Sequence, residues 1–477
     1  MNRVSGKAKH HWGGNRMQIA GVVGVLILLV VTLFIQRTET HASVASVSVL
    51  ATFLENNGRT SFNAGETIIN PNTAPKLKLH WKYKAGGAIV TQPVEAKGML
   101  YWGSWDGVEH ATNLNGGQVW AINLGKTVSC GKAGVASTAT VASVMINGTV
   151  TTVVYVAGGN AHFYALNAAT GAVIWQKALG TSPSYFLWSS PAVYNGSVYI
   201  GSASFGDCPL TPGQLIQMDA ATGTIQHTFT DVPQGCLGGG VWGSPTIDTV
   251  TGEVYFTTGT YASCSPLETM SIAVVELHAA NLSYAGSWQL PPAQRGNDSD
   301  FGTTPTLFQA TLGGSLQHMV GAANKNGKYY AFIRGKISSG PVWTDQIAIP
   351  GPCPTCGAGS ISSSAWDGTR LYVAGGETTI NGKACSGSLR ALNAATGGFL
   401  WQHCMSDGPV LGAVSAIPGV AVVGEGPAFV LIATTSGQTL FTYKDSATYS
   451  HFYGTASIIN GVLYIGNMDG ILYAFGT

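Results

Sequence analysis

Short apolar runs alternate with small and polar residues along most of the chain, and they recur in a fixed order. The clearest example is residues 163–175, where Phe-Tyr-Ala-Leu precedes the turn Asn-Ala-Ala-Thr-Gly and a second apolar run ending in Trp175. Alternation on both sides of a glycine turn predicts a β-hairpin. The same words return at residues 217–227 and 391–401. A motif that recurs about every fifty residues predicts an array of similar modules.

Each module opens with a small or hydroxyl-bearing residue that leads into an apolar strand. Eight such openings occur, at Pro93, Ala139, Pro191, Pro245, Pro305, Ser364, Ser415 and Ala456. The last module ends after three strands, whereas residues 77–83 form one strand without a module of its own. The two ends can therefore complete one sheet and close a ring, which removes exposed strand edges. The pattern predicts an all-β protein, an eight-bladed β-propeller over residues 77–477 closed by its N-terminal strand.

Composition supports this architecture. The 477 residues include 64 glycines, and only 9% are charged, compared with about 25% in ordinary proteins. Many turn formers and few charges are typical of an all-β chain with many tight turns. The net charge of +1 and the lack of a basic stripe argue against nucleic acid as a partner.

The N-terminal region has a different character. Residues 17–35 form an apolar run long enough to cross a membrane. Basic residues precede it at Arg3, Lys7, Lys9 and Arg16. This asymmetry predicts a cytoplasmic N-terminus at 1–16, a transmembrane signal-anchor helix at 17–36, a loosely ordered linker at 37–76 and a body outside the cytoplasm. The alternative is a cleaved signal peptide, with a small-residue site at residues 43–45.

Eight cysteines suit an oxidising compartment. They are Cys130, Cys208, Cys236, Cys264, Cys353, Cys356, Cys385 and Cys404. Cys353-Pro-Thr-Cys356 lacks a second ligand pair at metal spacing, so structural disulfides are favoured over a redox or metal motif. No Cys-x-x-Cys-His occurs, so covalent haem is not expected.

Five tryptophans recur where the outer strand of a module ends. They are Trp81, Trp175, Trp288, Trp343 and Trp401. A large ring at that position can pack between neighbouring blades, so we assign these five a structural role.

The repeated Asp/Asn-Ala-x-Thr-Gly words that lead to Trp resemble those of the PQQ-repeat propellers of the quinoprotein alcohol dehydrogenase superfamily. Its enzymes are eight-bladed propellers that hold pyrroloquinoline quinone (PQQ) and usually calcium in the central channel. The resemblance covers residues 77–477. The superfamily also contains non-enzymes, such as the propeller lipoprotein of outer-membrane protein assembly.

Three local matches extend the resemblance to a site. Gly-Val-Trp242-Gly-Ser-Pro is similar to the segment whose Trp forms the floor under the quinone, and Asn-Lys325-Asn-Gly resembles the segment that contacts the quinone oxygens. Asn-Asp298-Ser-Asp300-Phe-Gly resembles the segment of the catalytic base, which implies that Asp300 accepts the alcohol proton. An inner-strand core role for Trp242, a solvated turn for Lys325 and a loop-capping role for the aspartates are the structural alternatives.

Two departures from the family affect the metal. Thr260 stands where an Asn calcium ligand is expected, and only Asp207 can replace the missing Glu ligand. Calcium prefers six to eight oxygens, so the resemblance makes calcium doubtful. The adjacent cysteine pair of many members is also absent.

Two functions follow from these expectations. The first is a membrane-anchored, extracytoplasmic PQQ-binding propeller that oxidises an alcohol and passes electrons to a separate acceptor. The second is a non-catalytic scaffold that binds envelope proteins through its rim loops. Surviving Trp, Lys and Asp residues favour the first, and the lost calcium ligands favour the second.

Overall fold

The structure is a computed structural model that describes residues 48–128, 131–262, 270–447 and 450–477. The segments 1–16 and 17–36 and the alternative cleavage site lie outside these ranges, so the anchor and the localisation stay predictions. Within the described ranges, no helix has the length and apolar character needed to span a bilayer. The helices there are short 3₁₀ turns at Ala74–Lys76, Pro292–Gln294, Ile337–Ser339 and Pro354–Cys356.

Eight antiparallel sheets form the blades, which confirms the predicted all-β, eight-bladed propeller. Two strands precede them, β1 (Ser48–Ala51) and β2 (Lys78–Lys84). Blade 1 contains β3 (Val94–Ala96), β4 (Met99–Gly103), β5 (Val108–Asn113) and β6 (Gln118–Asn123). Blade 2 contains β7 (Thr140–Ile146), β8 (Thr149–Ala157), β9 (His162–Asn167) and β10 (Val173–Ala178). Blade 3 contains β11 (Tyr185–Phe186), β12 (Ala192–Tyr194), β13 (Ser197–Ser204), β14 (Gln214–Asp219) and β15 (Ile225–Thr230). Blade 4 contains β16 (Thr246–Asp248), β17 (Glu253–Thr257), β18 (Ala273–His278) and β19 (Tyr284–Gln289).

The second half repeats the plan. Blade 5 contains β20 (Thr306–Leu312), β21 (Ser315–Ala323), β22 (Lys328–Ile333) and β23 (Trp343–Gln346). Blade 6 contains β24 (Ala365–Trp366), β25 (Arg370–Gly375), β28 (Gly387–Asn393) and β29 (Phe399–Met405), with the hairpin β26 (Thr378–Ile380) and β27 (Lys383–Cys385) inserted. Blade 7 contains β30 (Ser415–Ile417), β31 (Val420–Glu425), β32 (Ala428–Ala433) and β33 (Thr439–Lys444). Blade 8 contains β34 (Ser457–Ile459), β35 (Val462–Gly466) and β36 (Ile471–Gly476).

Blade 8 takes its outer strand from the other end of the chain. Strand β2 pairs antiparallel with β36, with Trp81 opposite Ala474. The sheet therefore has the order β2-β36-β35-β34 and unites strands from both ends of the propeller.

Tryptophans of five outer strands connect their blade to the next one. The indole nitrogens of Trp81, Trp120, Trp175, Trp343 and Trp401 donate to the carbonyls of Leu114, Ala168, Ala220, Ala394 and Thr434. The glycine of the receiving turn lies against the ring: a Cβ added to Gly223 would lie 2.5 Å from Trp175. Gly223 also has a φ of +70°, which glycine adopts without strain. The Thr-Gly and Trp motifs recur because the glycine of one blade contacts the tryptophan of the previous blade.

Hydroxyl groups at the start of the inner strands form a second connection around the channel. The backbone amides of Gln92, Thr138, Ser190, Ser244, Thr304 and Ala413 donate to hydroxyls of the next blade, on Thr138, Ser190, Ser244, Thr304, Ser363 and Thr455. Backbone amides near the axis have no strand beside them, so a Ser or Thr of the next blade satisfies them. These hydroxyl-bearing residues stand immediately before the predicted module openings, as Ser190 does before Pro191.

Residues 52–63 pack inside the ring, and we call them the plug. They form hydrogen bonds with all eight blades, through Gln92, Thr140, Val193, Ile247, Leu307, Trp366, Ala416 and Ile458. The predicted loose linker over 37–76 is therefore wrong for these described residues. The segment has no periodicity because its partners lie on eight different strands.

Disulfides support two of the loops. Cys353 is bonded to Cys356 and Cys385 to Cys404, so the predicted structural disulfides are confirmed at these pairs. Cys130 and Cys264 lie outside the described residues.

Candidate functional site

Loops of blades 2 to 5 surround a cleft of about 210 Å³ at one end of the ring. All five residues singled out in the sequence line it: Asp207, Trp242, Thr260, Asp300 and Lys325. Each lies in one of two kinds of loop. One kind joins the second and third strands of a blade, and the other joins the outer strand of a blade to the inner strand of the next. Loops of both kinds open on the same face of a propeller, so residues distant in sequence converge there.

Trp242 is half-buried at the base of this cleft, just before β16. Two glycines make room for its ring. A Cβ on Gly302 would lie 2.1 Å from Cη2 of the indole, and one on Gly259 would lie 3.3 Å from Nε1. These close approaches fix where the indole lies and leave it accessible from the cleft.

Lys325 joins the elements of the cleft through its ammonium group. Nζ lies 2.7 Å from Oδ2 of Asp298 and 2.9 Å from Oδ2 of Asp300. It also lies 5.5 Å from the centroid of the Trp242 ring, within the range of a cation–π contact. The structure thus brings a cation, two carboxylates and an aromatic face together.

The local backbone holds Asp300 in place. The amide of Thr260 donates to Asp300 Oδ1, and the amide of Lys325 donates to the Asp300 carbonyl at 3.0 Å. Asp298 has a φ of +52°, an unfavourable region for a residue with a side chain. This turn directs both carboxylates towards Lys325.

Charge and burial shift the titration of these groups. Burial, together with the negative charge of Asp300, raises the pKa of Asp298 to about 6. Burial lowers the pKa of Lys325, but the carboxylates of Asp300 and Asp298 outweigh it, so that pKa lies above its usual value. Lys325 is therefore a permanent cation at neutral pH, whereas the pKa of Asp298 lies near 6.

Asp207 and Thr260 occupy the rim and the wall. Burial and the charge of Asp300 raise the pKa of Asp207, which is exposed in the loop after β13. The hydroxyl oxygen of Thr260 is buried and has no hydrogen-bond partner among the described residues. A buried polar atom without a partner is costly, so a ligand atom would stabilise it.

The described residues do not fit a calcium site. Both carboxylate oxygens of Asp300 already accept hydrogen bonds, and the Lys325 ammonium occupies the position between Asp298 and Asp300. No group of three or more metal-ligating side chains occurs in the described part of the chain. Calcium needs six to eight oxygens, which Asp207 and Thr260 cannot supply.

The same residues do fit a flat, electron-poor ring such as PQQ. Trp242 supplies an aromatic face, Lys325 a donor cation, and the Thr260 hydroxyl an unused polar atom. A second indole, Trp188, also lines the cleft, stacked on Phe205 at 5.4 Å between centroids. Aromatic and cationic groups of this kind bind conjugated quinones by stacking and hydrogen bonding.

Sequence reasoning missed Trp188. Its signal is nevertheless present, because Trp188-Ser-Ser-Pro191 repeats the spacing of Trp242-Gly-Ser-Pro245 one blade earlier. Both tryptophans stand three residues before the proline that opens an inner strand. Equivalent positions in neighbouring blades converge at the axis, so this spacing predicts a shared cleft.

A family model described as outer membrane protein assembly factor BamB, PQQ_2, matches residues 106–350. The chain belongs to the PQQ_2 family. The resemblance to PQQ-repeat propellers is thereby confirmed.

Proteins similar in sequence include alcohol dehydrogenases. A polyvinylalcohol dehydrogenase of a Pseudomonas species is 22% identical over 442 residues, which cover 82% of this chain and 66% of that protein. A polyvinylalcohol dehydrogenase of Sphingopyxis sp. (strain 113P3) is 23% identical over 407 residues, 74% of this chain and 60% of that protein. The chain thus spans less than two thirds of the length of these relatives.

Solved structures show the same architecture. The quinohemoprotein alcohol dehydrogenase from Comamonas testosteroni has a TM-score of 0.70 at 16% identity, covering 90% of this chain and 80% of that one. At this identity the likeness shows the fold alone. It agrees with the eight blades found in this PQQ_2 family member.

Proposed function

We propose that the cleft binds PQQ and that the protein oxidises an alcohol there. The observation that carries the proposal is the position of the Lys325 ammonium, shared by two carboxylates and 5.5 Å from the Trp242 ring. An aromatic floor, a cation and a carboxylate are the groups that such a reaction requires of the protein. The alcohol dehydrogenases among the relatives support the same reaction class.

Each side chain has a distinct role in this proposal. Trp242 stacks under the ring, and Lys325 donates a hydrogen bond to a ring oxygen. Asp300 accepts the proton of the alcohol hydroxyl, since a carboxylate oxygen retains a second lone pair after accepting one hydrogen bond. When bound, PQQ accepts the two electrons and the hydrogen that leave the alcohol carbon.

Asp298 is a neighbour of the base. Burial and the charge of Asp300 raise the pKa of Asp298 to about 6, so Asp298 exchanges a proton close to neutral pH. Because a polymeric alcohol is the substrate named for the first two relatives, we extend the proposal to secondary alcohols in polymers. The electrons must then pass to a separate acceptor.

Titration of the purified full-length chain with PQQ tests the proposal. We expect quenching of tryptophan fluorescence at micromolar PQQ and oxidation of secondary alcohols with an artificial acceptor dye. Trp242→Ala should weaken binding at least tenfold, whereas Trp401→Phe, a matched control outside the cleft, should not. Asp300→Asn should retain binding and lose about 10²-fold to 10⁴-fold in turnover. No binding at tens of micromolar PQQ would refute the proposal.

A second candidate is a non-catalytic scaffold for envelope proteins, favoured by the description of the matching family model and by the poor fit to calcium. The same titration separates the two. A scaffold would show no quenching that depends on Trp242.

We also propose that residues 17–36 anchor the protein in the cell membrane with the propeller outside the cytoplasm. The apolar run and the basic residues before it support this. Cysteine labelling with a membrane-impermeant reagent on intact cells, after a Ser-to-Cys change on the propeller surface, provides the test. Labelling only after lysis would contradict it.

A further inference from the structure

The interface between blades 3 and 4 lacks the docked tryptophan that five other interfaces share. In the five docked interfaces the outer-strand tryptophan lies opposite an alanine of the adjacent strand, as Trp175 does opposite Ala165. In blade 3 the same positions hold His227 and Gln217. The repeat is therefore broken by two polar residues that face each other.

The receiving turn in blade 4 is also altered. Leu282 stands where Gly223 stands one blade earlier, and it has a φ of +54°. A Cβ at Gly223 would lie 2.5 Å from the Trp175 ring, so a tryptophan could not dock against Leu282. Both sides of the interface have lost the docking contact.

A cleft of about 760 Å³ lies at this position, between blades 3 and 4. It opens on the face of the ring that bears the hairpin turns, away from Lys325 and Trp242. The next interface shows that a missing tryptophan need not leave a gap. There Gly286 lies opposite Glu276, and the 3₁₀ turn Ile337–Ser339 packs against Gly286. Both interfaces lack the tryptophan, but of the two only the one at His227 is open.

The walls of the cleft are mostly polar. They include two histidines, His227 and His278, and Nδ1 of His278 lies 3.6 Å from Oε1 of Glu253. Gln217 is 4% exposed and donates to the hydroxyls of Ser197 at 3.1 Å and Tyr199 at 3.2 Å. Ser197 in turn donates to Gln226 at 2.7 Å. Tyr194 and Asn281 complete the lining on either side. The described residues that line the cleft include no Asp, Glu, Lys or Arg.

Two groups in this network have unused hydrogen-bonding capacity. Oε1 of Gln217 is buried without a partner among the described residues. Among the described residues, the carbonyl of Ala279 accepts a hydrogen bond from the Tyr199 hydroxyl alone, at 2.8 Å, whereas the equivalent Ala220 carbonyl accepts from both Tyr155 and Trp175. A buried acceptor without its donor is unfavourable, and an incoming hydroxyl group can supply one.

We propose that this cleft binds a neutral polyhydroxylated chain. Amide, hydroxyl and imidazole groups pair with ligand hydroxyls, and the partly exposed ring of Tyr194 packs against its apolar carbon faces. Because the described lining residues include no Asp, Glu, Lys or Arg, the cleft offers no strong partner to an anionic or cationic ligand. A glycan and a synthetic polyalcohol share this chemistry, and the site is independent of the quinone cleft.

Calorimetric titration of the full-length chain, without PQQ, tests the proposal with two probes: maltoheptaose and a short poly(vinyl alcohol). We expect one of them to bind, and the one that binds identifies the source of the chain. The triple variant Gln217→Ala, His227→Trp and Leu282→Gly rebuilds the docked interface. It should weaken binding at least tenfold without lowering Tm.

A second variant avoids any dependence on refolding of the interface. Gln226→Ala with Asn281→Ala changes exposed rim residues only and should weaken binding about fivefold, while Gln176→Ala, an exposed glutamine of blade 2, should not change it. The proposal is overturned if neither probe binds. It is also overturned if a probe binds and the rim variant leaves its affinity unchanged.

Discussion

The ammonium of Lys325 lies 2.9 Å from Oδ2 of Asp300 while it also bonds Asp298 at 2.7 Å. Two carboxylates two residues apart would repel each other, and the shared cation offsets that repulsion. Lys325 is 9% exposed, so water screens the interaction only in part. The charge balance of the cleft therefore depends on one side chain.

Lys325→Met should destabilise the fold and weaken PQQ binding at least tenfold. We expect a loss of about 2–3 kcal/mol, below the 3–5 kcal/mol of fully buried pairs because Asp298 is partly in contact with solvent. Denaturant unfolding and fluorescence titration measure the two effects. Lys325→Arg keeps the charge, and if it behaves like the Met variant, the role assigned to charge is wrong.

The raised pKa of Asp298 predicts how stability depends on pH. A folded-state pKa of about 6, above the unfolded value, means that the folded protein binds more protons between about pH 4 and 6. The contribution of Asp298 is complete below that window and is lost as the pH rises through 6. The free energy of unfolding of Asp298→Asn, relative to that of wild type, should therefore rise by about 1–2 kcal/mol from pH 4 to pH 7, after allowing for solvent screening. Unfolding curves at both pH values measure this, and a constant difference would contradict it.

Glu109 in blade 1 is a second pH-sensitive carboxyl. It is fully buried, both carboxyl oxygens lack partners among the described residues, and burial raises its pKa well above the usual value. Its stabilising contribution is greatest at low pH and falls as the pH rises through the folded-state value. Glu109→Gln should thus be more stable than wild type at pH 8, with the difference shrinking towards pH 4. Thermal unfolding at a series of pH values provides the measurement.

The docking tryptophans and His227 provide a matched comparison. Trp175→Ala should destabilise by about 3–5 kcal/mol, because it removes a packed indole and its bond to the Ala220 carbonyl. His227 occupies the equivalent position in blade 3 but is exposed, so His227→Ala should change the free energy of unfolding by less than about 0.5 kcal/mol. Equal losses in chemical denaturation would show that His227 is structural.

Arg59 anchors the plug and is fully buried. Its guanidinium donates to the carbonyls of Pro191 at 2.9 Å and Pro245 at 3.0 Å, and burial lowers its pKa to about 9. Arg59→Met leaves these carbonyls without their donor and should cost about 3–5 kcal/mol.

The effect on the cleft distinguishes Arg59 from an ordinary core residue. The two prolines follow Trp188 and Trp242 by three residues, so Arg59→Met should also displace these rings. We expect weaker PQQ binding, seen as quenching of tryptophan fluorescence that needs a higher PQQ concentration. Ser61→Ala, which removes a single bond of the plug to the Val414 carbonyl, is the control. Comparable losses in both variants would argue against a special role for Arg59.

The blades were predictable from the sequence because the contacts that define them are local. A Thr-Gly turn followed by a Trp indicates a hairpin. The glycine of that turn contacts the indole of the previous blade, as Gly223 contacts Trp175. The positions of Trp242, Asp300 and Lys325 are predicted differently, from the resemblance of their segments to those of the quinoprotein alcohol dehydrogenases. All three line the cleft.

Other features depend on contacts that no local pattern encodes. The plug bonds to strands up to several hundred residues away, as Asn63 does to Ile458, and its composition resembles that of a loop. The use of Lys325 as a shared cation also became evident only from distances. The exchange of Trp for His227 is visible in the sequence, but whether the gap is filled depends on the packing of residues far along the chain.

The plug also determines the order of events during synthesis. Residues 52–63 leave the ribosome before any of the inner strands that they will contact, and β2 appears almost 400 residues before its partner β36. Neither can complete its native bonds until translation has supplied blade 8. The plug and β2 are therefore among the last parts of the propeller to settle, although they are synthesised before its blades.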